Sequence, residues 1–153
     1  MFNKYLESLN EQKLNYVGIC LDMVWFGFGI DIERIDILTN QKEYVAKFSL
    51  HVQSSFYIYD KELKEELFSS EMLPMLSHQE QDANIYIENK FKAYCDTETI
   101  EFINITTENL LLQTERLIIS IDNYSTSFES WRFFETETEK KHLVCRNGKI
   151  DLE

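Results

Sequence analysis

His51 and Gln53 alternate with Leu50 and Val52 in a stretch that is rich in β-forming residues. Successive side chains on a strand point to opposite faces of the sheet. If Leu50 and Val52 face the core, His51 and Gln53 share the other face, where an imidazole and an amide can bind a ligand through hydrogen bonds. The alternative is the ordinary polar outer face of an antiparallel sheet, which needs no ligand.

The second group of candidate binding residues is Glu129, Trp131 and Arg132, which follow the Ser/Thr-rich stretch "NYSTS". Arg132 offers a planar donor fork for a carboxylate, and Trp131 offers a large rigid face. Both residue types are enriched at binding hot spots. The alternative is a salt bridge from Arg132 to Glu129 that closes a loop over a buried Trp131, because tryptophans are highly buried on average.

Cys20, His51 and Asp22 supply the residue types of a thiol nucleophile, a base and an orienting carboxylate. Cysteine is more often a small core residue, and no local sequence signature supports such a site. The chain also has no glycine-rich phosphate loop, no His-Glu-x-x-His and no Gly-x-Ser-x-Gly. The sequence therefore leans towards a protein that is not an enzyme.

The cysteines and histidines are too scattered to predict a metal site. No Cys-x-x-Cys occurs, and no histidine has metal-ligand spacing to a cysteine. We therefore expect no metal and no other cofactor, and reduced thiols. The residues concerned are Cys20, Cys95, Cys145, His51, His78 and His142.

The charge balance limits the classes of partner. The chain of 153 residues carries a formal net charge of −12, and its acid excess is densest between residues 61 and 100. Nucleic-acid binding depends on a basic stripe, which this sequence lacks, so nucleic acids and anionic membranes are disfavoured. A basic protein partner fits the charge, although plain solubility would produce the same excess.

The first twelve residues, "MFNKYLESLNEQ", lack the apolar region of a signal peptide. No stretch approaches the ~18 uncharged apolar residues of a membrane helix. We therefore expect a cytoplasmic protein that does not enter the membrane.

Hydrophobic spacing predicts helices at residues 2–10 and, less clearly, 84–94, with strands over much of the remainder. Three short apolar runs after Glu101 predict an antiparallel meander, and "HLVC" before Asn147-Gly148 predicts a further strand, because Asn-Gly is a strong turn signal. Residues 31–43 read as a loop or hairpin tip, and residues 77–82 as an acidic loop. The stretch that starts at Asp60 is ambiguous between helix and strand.

The stretch "DMVWFGFGID" alternates glycine with aromatic residues. On a strand, Gly27 and Gly29 would face one side while Phe26 and Phe28 face the other. Glycine in a strand often marks a bulge or the close approach of another group. We expect a ring, from Trp131 or Phe133, to pack over the two glycines; a shallow aromatic groove is the functional alternative.

Four segments, "LDMVWFGFG", "FSLHVQSSFYI", "IDNYSTSFESWRFF" and "HLVCRNG", resemble in this order an uncharacterised family of small bacterial proteins that carry a domain of unknown function. The resemblance spans most of the chain except residues 60–100. Members of that family often have Trp-Arg where this chain has Phe56-Tyr57. The resemblance implies a shared fold and a shared surface, and no activity.

Together these features predict one α+β domain over residues 1–153. We expect a mostly antiparallel, bent sheet of about six to eight strands with two or three flanking helices. The leading functional hypothesis is a non-enzymatic cytosolic interaction protein with a basic protein partner, for example an immunity-type protein that masks a basic toxin. The alternative is a small-molecule-binding or catalytic domain with a groove near Trp25, His51 and Trp131.

Overall fold

The computed structural model describes residues 3–76 and 80–153, and within them the chain forms two antiparallel sheets around a shared core. The first sheet has the spatial order β1 (Leu14–Cys20), β2 (Met23–Ile35), β3 (Lys42–Val52), β9 (Trp131–Glu135), β10 (Leu143–Arg146) and β11 (Lys149–Leu152). The second sheet has the order β5 (Glu65–Ser69), β4 (Phe56–Asp60), β8 (Leu117–Asp122), β7 (Asn109–Gln113) and β6 (Phe102–Ile105).

Three short α-helices accompany the sheets in the described part of the chain. The helical segments are α1 (Asn3–Leu6) with a 3₁₀ turn (Glu7–Leu9), a second 3₁₀ turn (Ser70–Met72) leading into α2 (Leu73–Leu76), and α3 (Glu80–Phe91). The longest, α3, buries Ala83, Ile87 and Phe91, which lie at spacings of four residues and so form one face of the helix. Apolar spacing thus explains how α3 attaches to the core.

The core lies between the inner faces of the two sheets. Alternation along β3 and along the first half of β2 turns Phe26, Phe28 and Leu50 inwards, as the sequence pattern predicts. The ring of Phe26 meets that of Phe56 edge-on across the gap between the sheets, with centroids 6.3 Å apart. Edge-to-face pairs of this kind add to the stabilisation from burial.

At Ile19, the outer edge of β1 is covered by a side chain from α3. Asn84 accepts a hydrogen bond from the backbone N–H of Ile19 at 2.8 Å and donates one to the carbonyl of Ile19 at 2.9 Å. These two bonds replace those that a neighbouring strand would make with β1. They blunt an edge that could otherwise pair with another chain.

The glycines of β2 have different neighbours from those expected. A Cβ added to Gly27 would lie 2.7 Å from the Cβ of Ala46, so no ring from Trp131 or Phe133 covers this glycine. Gly29 has φ +88° and lies at a register shift between Phe28 and Asp31. The prediction of a covering ring is wrong, whereas the general expectation of a close approach and a bulge is confirmed.

The prediction of a mostly antiparallel α+β fold is confirmed, but the expected six to eight strands in one bent sheet are too few. The described residues contain eleven strands in two sheets. The stretch 31–43 also contains more strand than expected, because only residues 36–41 separate β2 from β3. Its charges pair across the strands, with Lys42 Nζ 3.2 Å from Glu33 and Arg34 bonded to Glu43. The charged residues that suggested a loop in the sequence therefore form ion pairs across the two strands of a hairpin.

Both predicted helices are present, but their ends differ from the predicted ones. Residues 3–9 are helical, while Phe2 lies outside the described residues. The helix expected at 84–94 exists but spans Glu80–Phe91, so the prediction is wrong for residues 92–94. Because the helix begins at Glu80, the prediction of a loop over 77–82 is wrong for its last three residues. Residues 77–79 lie outside the described part of the chain.

Candidate functional site

A row of paired residues on the outer face of the first sheet brings together three of the candidate binding residues. Trp25 on β2 pairs with His51 on β3, and His51 pairs with Arg132 on β9. Alternation places these side chains on the face opposite Phe26, Leu50 and the other core residues. Strand register thus joins positions that are far apart in the sequence into one surface.

Two residues of the row, Trp25 and His51, belong to a group of rings that we call the outer aromatic cluster. Its other members are Phe134 and His142. The Trp25 and His51 rings stack with centroids 4.5 Å apart and an interplanar angle of 9°. Phe134 meets His51 edge-on at 5.0 Å and stacks on His142 at 4.5 Å. The four rings form a continuous strip across β2, β3, β9 and the residue that precedes β10.

The two imidazoles of this cluster are held neutral. Burial among the rings, with the positive charge of Arg132 as a further cause, lowers the pKa of His51 to about 4. The same causes lower the pKa of His142. At neutral pH each imidazole is therefore an uncharged group with one donor and one acceptor nitrogen.

Arg132 is already bound within the protein. Its Nε lies 3.0 and 3.2 Å from the two carboxylate oxygens of Glu129, and its Nη1 lies 2.9 Å from Nδ1 of His142. Glu129 also lies 3.5 Å from Nη2 of Arg146. The predicted internal salt bridge between Arg132 and Glu129 is confirmed, and it occupies the donor fork that a ligand carboxylate would need.

Trp131 does not belong to this surface. Its side chain has no exposed area, and its Nε1 donates a 3.0 Å hydrogen bond to Oδ1 of Asn123 inside the core. Trp131 precedes Arg132 on β9 and therefore points to the opposite face. The prediction of a groove shared by Trp25, His51 and Trp131 is wrong in its third member.

Gln53 lies two residues after His51, just past the end of the strand segment that forms the row. It follows the last residue of β3, and its backbone N–H donates a hydrogen bond to the carbonyl of Ser130 at 2.9 Å.

The ring neighbours of His51 are Trp25 and Phe134, not the neighbours that a thiolate–imidazole pair requires. The catalytic interpretation with Cys20 and Asp22 gains no support from this geometry.

A pocket of about 370 Å³ adjoins the outer aromatic cluster, and we call it the outer-face pocket. It takes residues from four strands, and its lining is mostly apolar and aromatic. The hydroxyls of Ser49 and Thr136 lie 3.0 Å apart in its wall. The lining residues are Asn15, Tyr16, Trp25, Phe26, Gly27, Arg34, Tyr44, Val45, Ala46, Ser49, His51, Phe134 and Thr136.

The second candidate surface is an acidic depression of about 390 Å³ on the second sheet. The carboxylates of Glu66, Glu71, Glu108 and Asp122 line it, together with Tyr57, whose exposed fraction is 44%. The remaining lining residues are Ser55, Phe56, Ser69, Ser70, Asn109 and Ser120, so no lysine or arginine is among them. We keep the name acidic depression for this surface.

Sequence reasoning missed Phe134, His142 and Thr136 at the first surface and Tyr57, Glu108 and Asp122 at the second. One signal for Phe134 was available, since it lies two residues after Arg132 and therefore shares its face. Glu108 lies in a turn whose neighbours follow only from strand order. No sequence pattern joins that turn to Glu66 and Glu71.

Within residues 3–76 and 80–153, no group of three or more His, Cys, Asp or Glu side chains is placed to hold a metal ion. Over the same residues, the helices fall short of the length and apolar character needed to cross a membrane. No protein-family model matches the chain, and comparisons with curated proteins and with solved structures return no match either.

Proposed function

We propose that this chain is a non-enzymatic interaction protein that binds a basic protein through its acidic depression. One concrete version is an immunity-type protein that acts in the cytoplasm and masks a basic toxin. The observation that carries this proposal is the set of carboxylates around exposed Tyr57, with no cation among the lining residues. Apolar aromatic area ringed by unneutralised charge suits a protein partner of opposite sign.

The distribution of ion pairs supports the same choice of surface. Each of the four arginines is paired with a carboxylate, for example Arg116 with Asp60 at 2.8 Å and with Glu62 at 3.0 Å. Glu66, Glu71 and Glu108 have no ion pair within the described residues. The acidic depression therefore presents negative charge that no cation of the described residues neutralises.

The state of the thiols supports the proposed compartment. Cys95 and Cys145 are free, the first half-buried and the second buried. Unpaired thiols fit a reducing cytoplasm, because oxidising compartments favour disulfide formation.

The test uses two charge-matched variants. Glu66→Gln/Glu71→Gln/Glu108→Gln removes three charges from the acidic depression, and Glu101→Gln/Glu115→Gln/Glu139→Gln removes three exposed charges elsewhere. A partner captured from the native host and identified by mass spectrometry is then measured for its association rate with each protein at low and physiological salt. The proposal expects a basic partner whose association rate falls about tenfold for the first variant and less than about twofold for the second.

Equal effects of the two variants, or an acidic partner, would contradict the proposal. The melting temperature serves as a control, because exposed unpaired charges contribute little to stability. The immunity-type version adds a stricter requirement. The partner alone must be toxic in the cell, and co-expression of the parent chain, but not of the depression variant, must relieve that toxicity.

A further inference from the structure

We infer that the outer-face pocket binds a small, uncharged, planar molecule that carries a hydrogen-bond acceptor. This inference does not rest on the proposed protein partner, since the pocket lies on the first sheet and the acidic depression on the second. Four observations lead to it: the size and lining of the pocket, its lack of free charge, an unpaired buried donor, and a pair of hydroxyls.

The size and lining of the pocket favour a flat aromatic compound. Its volume of about 370 Å³ lies in the range of small-molecule sites, at roughly 300–1,000 Å³. The rings of Tyr16, Trp25, Tyr44 and Phe134 line it, and the small residues Gly27 and Ala46 lie among them. Rings favour offset or edge contacts with other rings, so these walls complement a planar molecule.

The pocket presents no free charge to a ligand. Its one permanently charged lining residue, Arg34, is bonded to Glu43 and lies 3.4 Å from Glu137. Besides Arg34 and two tyrosines, the pocket lining has one titratable group, His51. It is neutral at physiological pH because its pKa is lowered to about 4. An ion would lose hydration on entry and find no counter-charge, which favours an uncharged ligand.

A buried donor in the pocket wall lacks a partner. Nε1 of Trp25 is covered from solvent and has no hydrogen-bond acceptor within the described residues. The other indole, that of Trp131, is bonded to Asn123 at 3.0 Å. A buried donor without a partner is unfavourable. Because the Trp25 ring lines the pocket, a small rotation of this ring on ligand binding would uncover Nε1 and let a ligand acceptor pair with it.

The hydroxyl pair supplies a second donor. One hydrogen is shared between Ser49 and Thr136 across the 3.0 Å contact, which leaves the hydrogen of the accepting hydroxyl free to point elsewhere. The lining therefore offers two neutral N–H or O–H donors among aromatic walls. A carbonyl or ring oxygen on a planar molecule is the complement of that arrangement.

Three probes test the inference on the intact chain: coumarin, which is uncharged and carries a carbonyl; naphthalene, which has similar size but no acceptor; and N-methylquinolinium, which is a planar cation. The readout is the indole N–H resonances in ¹⁵N NMR spectra, where Trp131 serves as an internal control for Trp25. We expect coumarin to move the Trp25 resonance and leave that of Trp131 in place. We also expect naphthalene and the cation to bind at least about tenfold more weakly, which is the effect of one hydrogen bond of about 1.4 kcal/mol.

Two variants confine the result to the pocket. Trp25→Phe keeps a ring but removes the N–H, so coumarin should no longer bind more tightly than naphthalene. Binding of naphthalene to this variant is measured through the fluorescence of naphthalene. Ser49→Ala removes one hydroxyl and should weaken coumarin binding, whereas Tyr57→Ala on the other sheet should not. The inference is overturned if coumarin does not bind at any concentration up to its solubility limit, or if naphthalene or the cation binds as tightly as coumarin. It is also overturned if the Trp131 resonance moves in place of the Trp25 resonance.

Discussion

The rings of Trp25 and His51 lie parallel across β2 and β3, with centroids 4.5 Å apart. With Phe134 against the edge of the imidazole, the stack leaves His51 little access to water. The charged groups near it are Arg132, which opposes protonation, and Glu129, which favours it, with His142 beside them. Their balance together with burial holds the imidazole in its neutral form.

His51 is therefore expected to make the protein less stable at mildly acidic pH. Its pKa falls from 6.5 in the unfolded chain to about 4 in the folded protein, so between these values the unfolded state binds more protons. Stability should fall as the pH drops from about 6.5 towards 4, by about 1–2 kcal/mol at pH 5 after allowance for partial solvent exposure.

His51→Phe keeps the stacked ring and removes the titration. Chemical denaturation of the parent and the variant at pH 7 and pH 5 measures the difference, and the variant should lose less stability between the two. An NMR titration of the His51 ring protons gives the pKa directly. A midpoint near 6.5 in the folded protein would refute the prediction.

A second prediction concerns the contact between Gly27 and Ala46. Gly27→Ala should destabilise the fold by about 1–3 kcal/mol, because the added Cβ would lie 2.7 Å from the Cβ of Ala46. Ala46→Gly in the same molecule removes that neighbour and should restore part of the loss. A double-mutant cycle on the free energies of unfolding measures the coupling.

Gly29→Ala is the matched comparison within the same strand. Its cost comes from the backbone, with φ +88°, so trimming a neighbouring side chain should not rescue it. If Ala46→Gly relieved both glycine substitutions equally, or neither, the steric explanation for Gly27 would fail.

Sequence patterns predicted the parts of this fold that depend on local periodicity. The alternation of Leu50 and Val52 with His51 predicted the inner face of β3 correctly, and Asn147-Gly148 predicted the turn that follows β10. The neighbours of His51 could not be predicted in the same way. They depend on which strands pair and in which register, and β9 follows β3 by about eighty residues in the chain. Burial of Trp131 follows from the same register, because one step along β9 exchanges its face with that of Arg132.

Long-range polar contacts were equally inaccessible. The buried carboxylate of Asp60 accepts hydrogen bonds from the hydroxyl of Tyr94 at 2.6 Å and from Nη2 of Arg116 at 2.8 Å. The sequence around each of these three residues does not distinguish it from an exposed residue of the same type. Their common environment arises only after the second sheet and the segment that follows α3 have packed together.

The third prediction concerns the edge of β1. Asn84→Ala removes both side-chain hydrogen bonds to Ile19 and should cost about 1–3 kcal/mol, at roughly 1 kcal/mol for each bond plus the exposed edge. The Ile19 amide should also exchange with solvent faster. Asn89→Ala, an exposed position on the same helix, is the control and should change neither quantity.

Asn84→Asp separates the two bonds. The carboxylate can still accept from the Ile19 N–H but cannot donate to its carbonyl. Protection of the Ile19 amide should therefore be largely kept while part of the stability is lost. Full stability with Asn84→Ala would mean that the edge is covered by other contacts.

The last prediction concerns the reactivity of Cys95. Burial, with the negative charges of Asp96 and Glu88 as further causes, raises the pKa of its thiol to about 11. Since the thiolate is the reactive form, Cys95 should react with iodoacetamide at pH 8 far more slowly than a cysteine in an unstructured peptide. Peptide mass spectrometry after timed quenching measures the rate, and denaturant should raise it to the peptide value.

Charge variants identify the electrostatic part of this effect. Glu88→Gln/Asp96→Asn removes the two carboxylates, lowers the pKa of Cys95 and should increase its alkylation rate about two- to threefold, because these charges are exposed and partly screened by salt. Glu115→Gln/Glu139→Gln makes the same change in net charge elsewhere and should leave the rate unchanged. An equal increase in both variants would assign the effect to net charge, and a parent rate equal to that of the peptide would show that Cys95 is neither buried nor electrostatically suppressed.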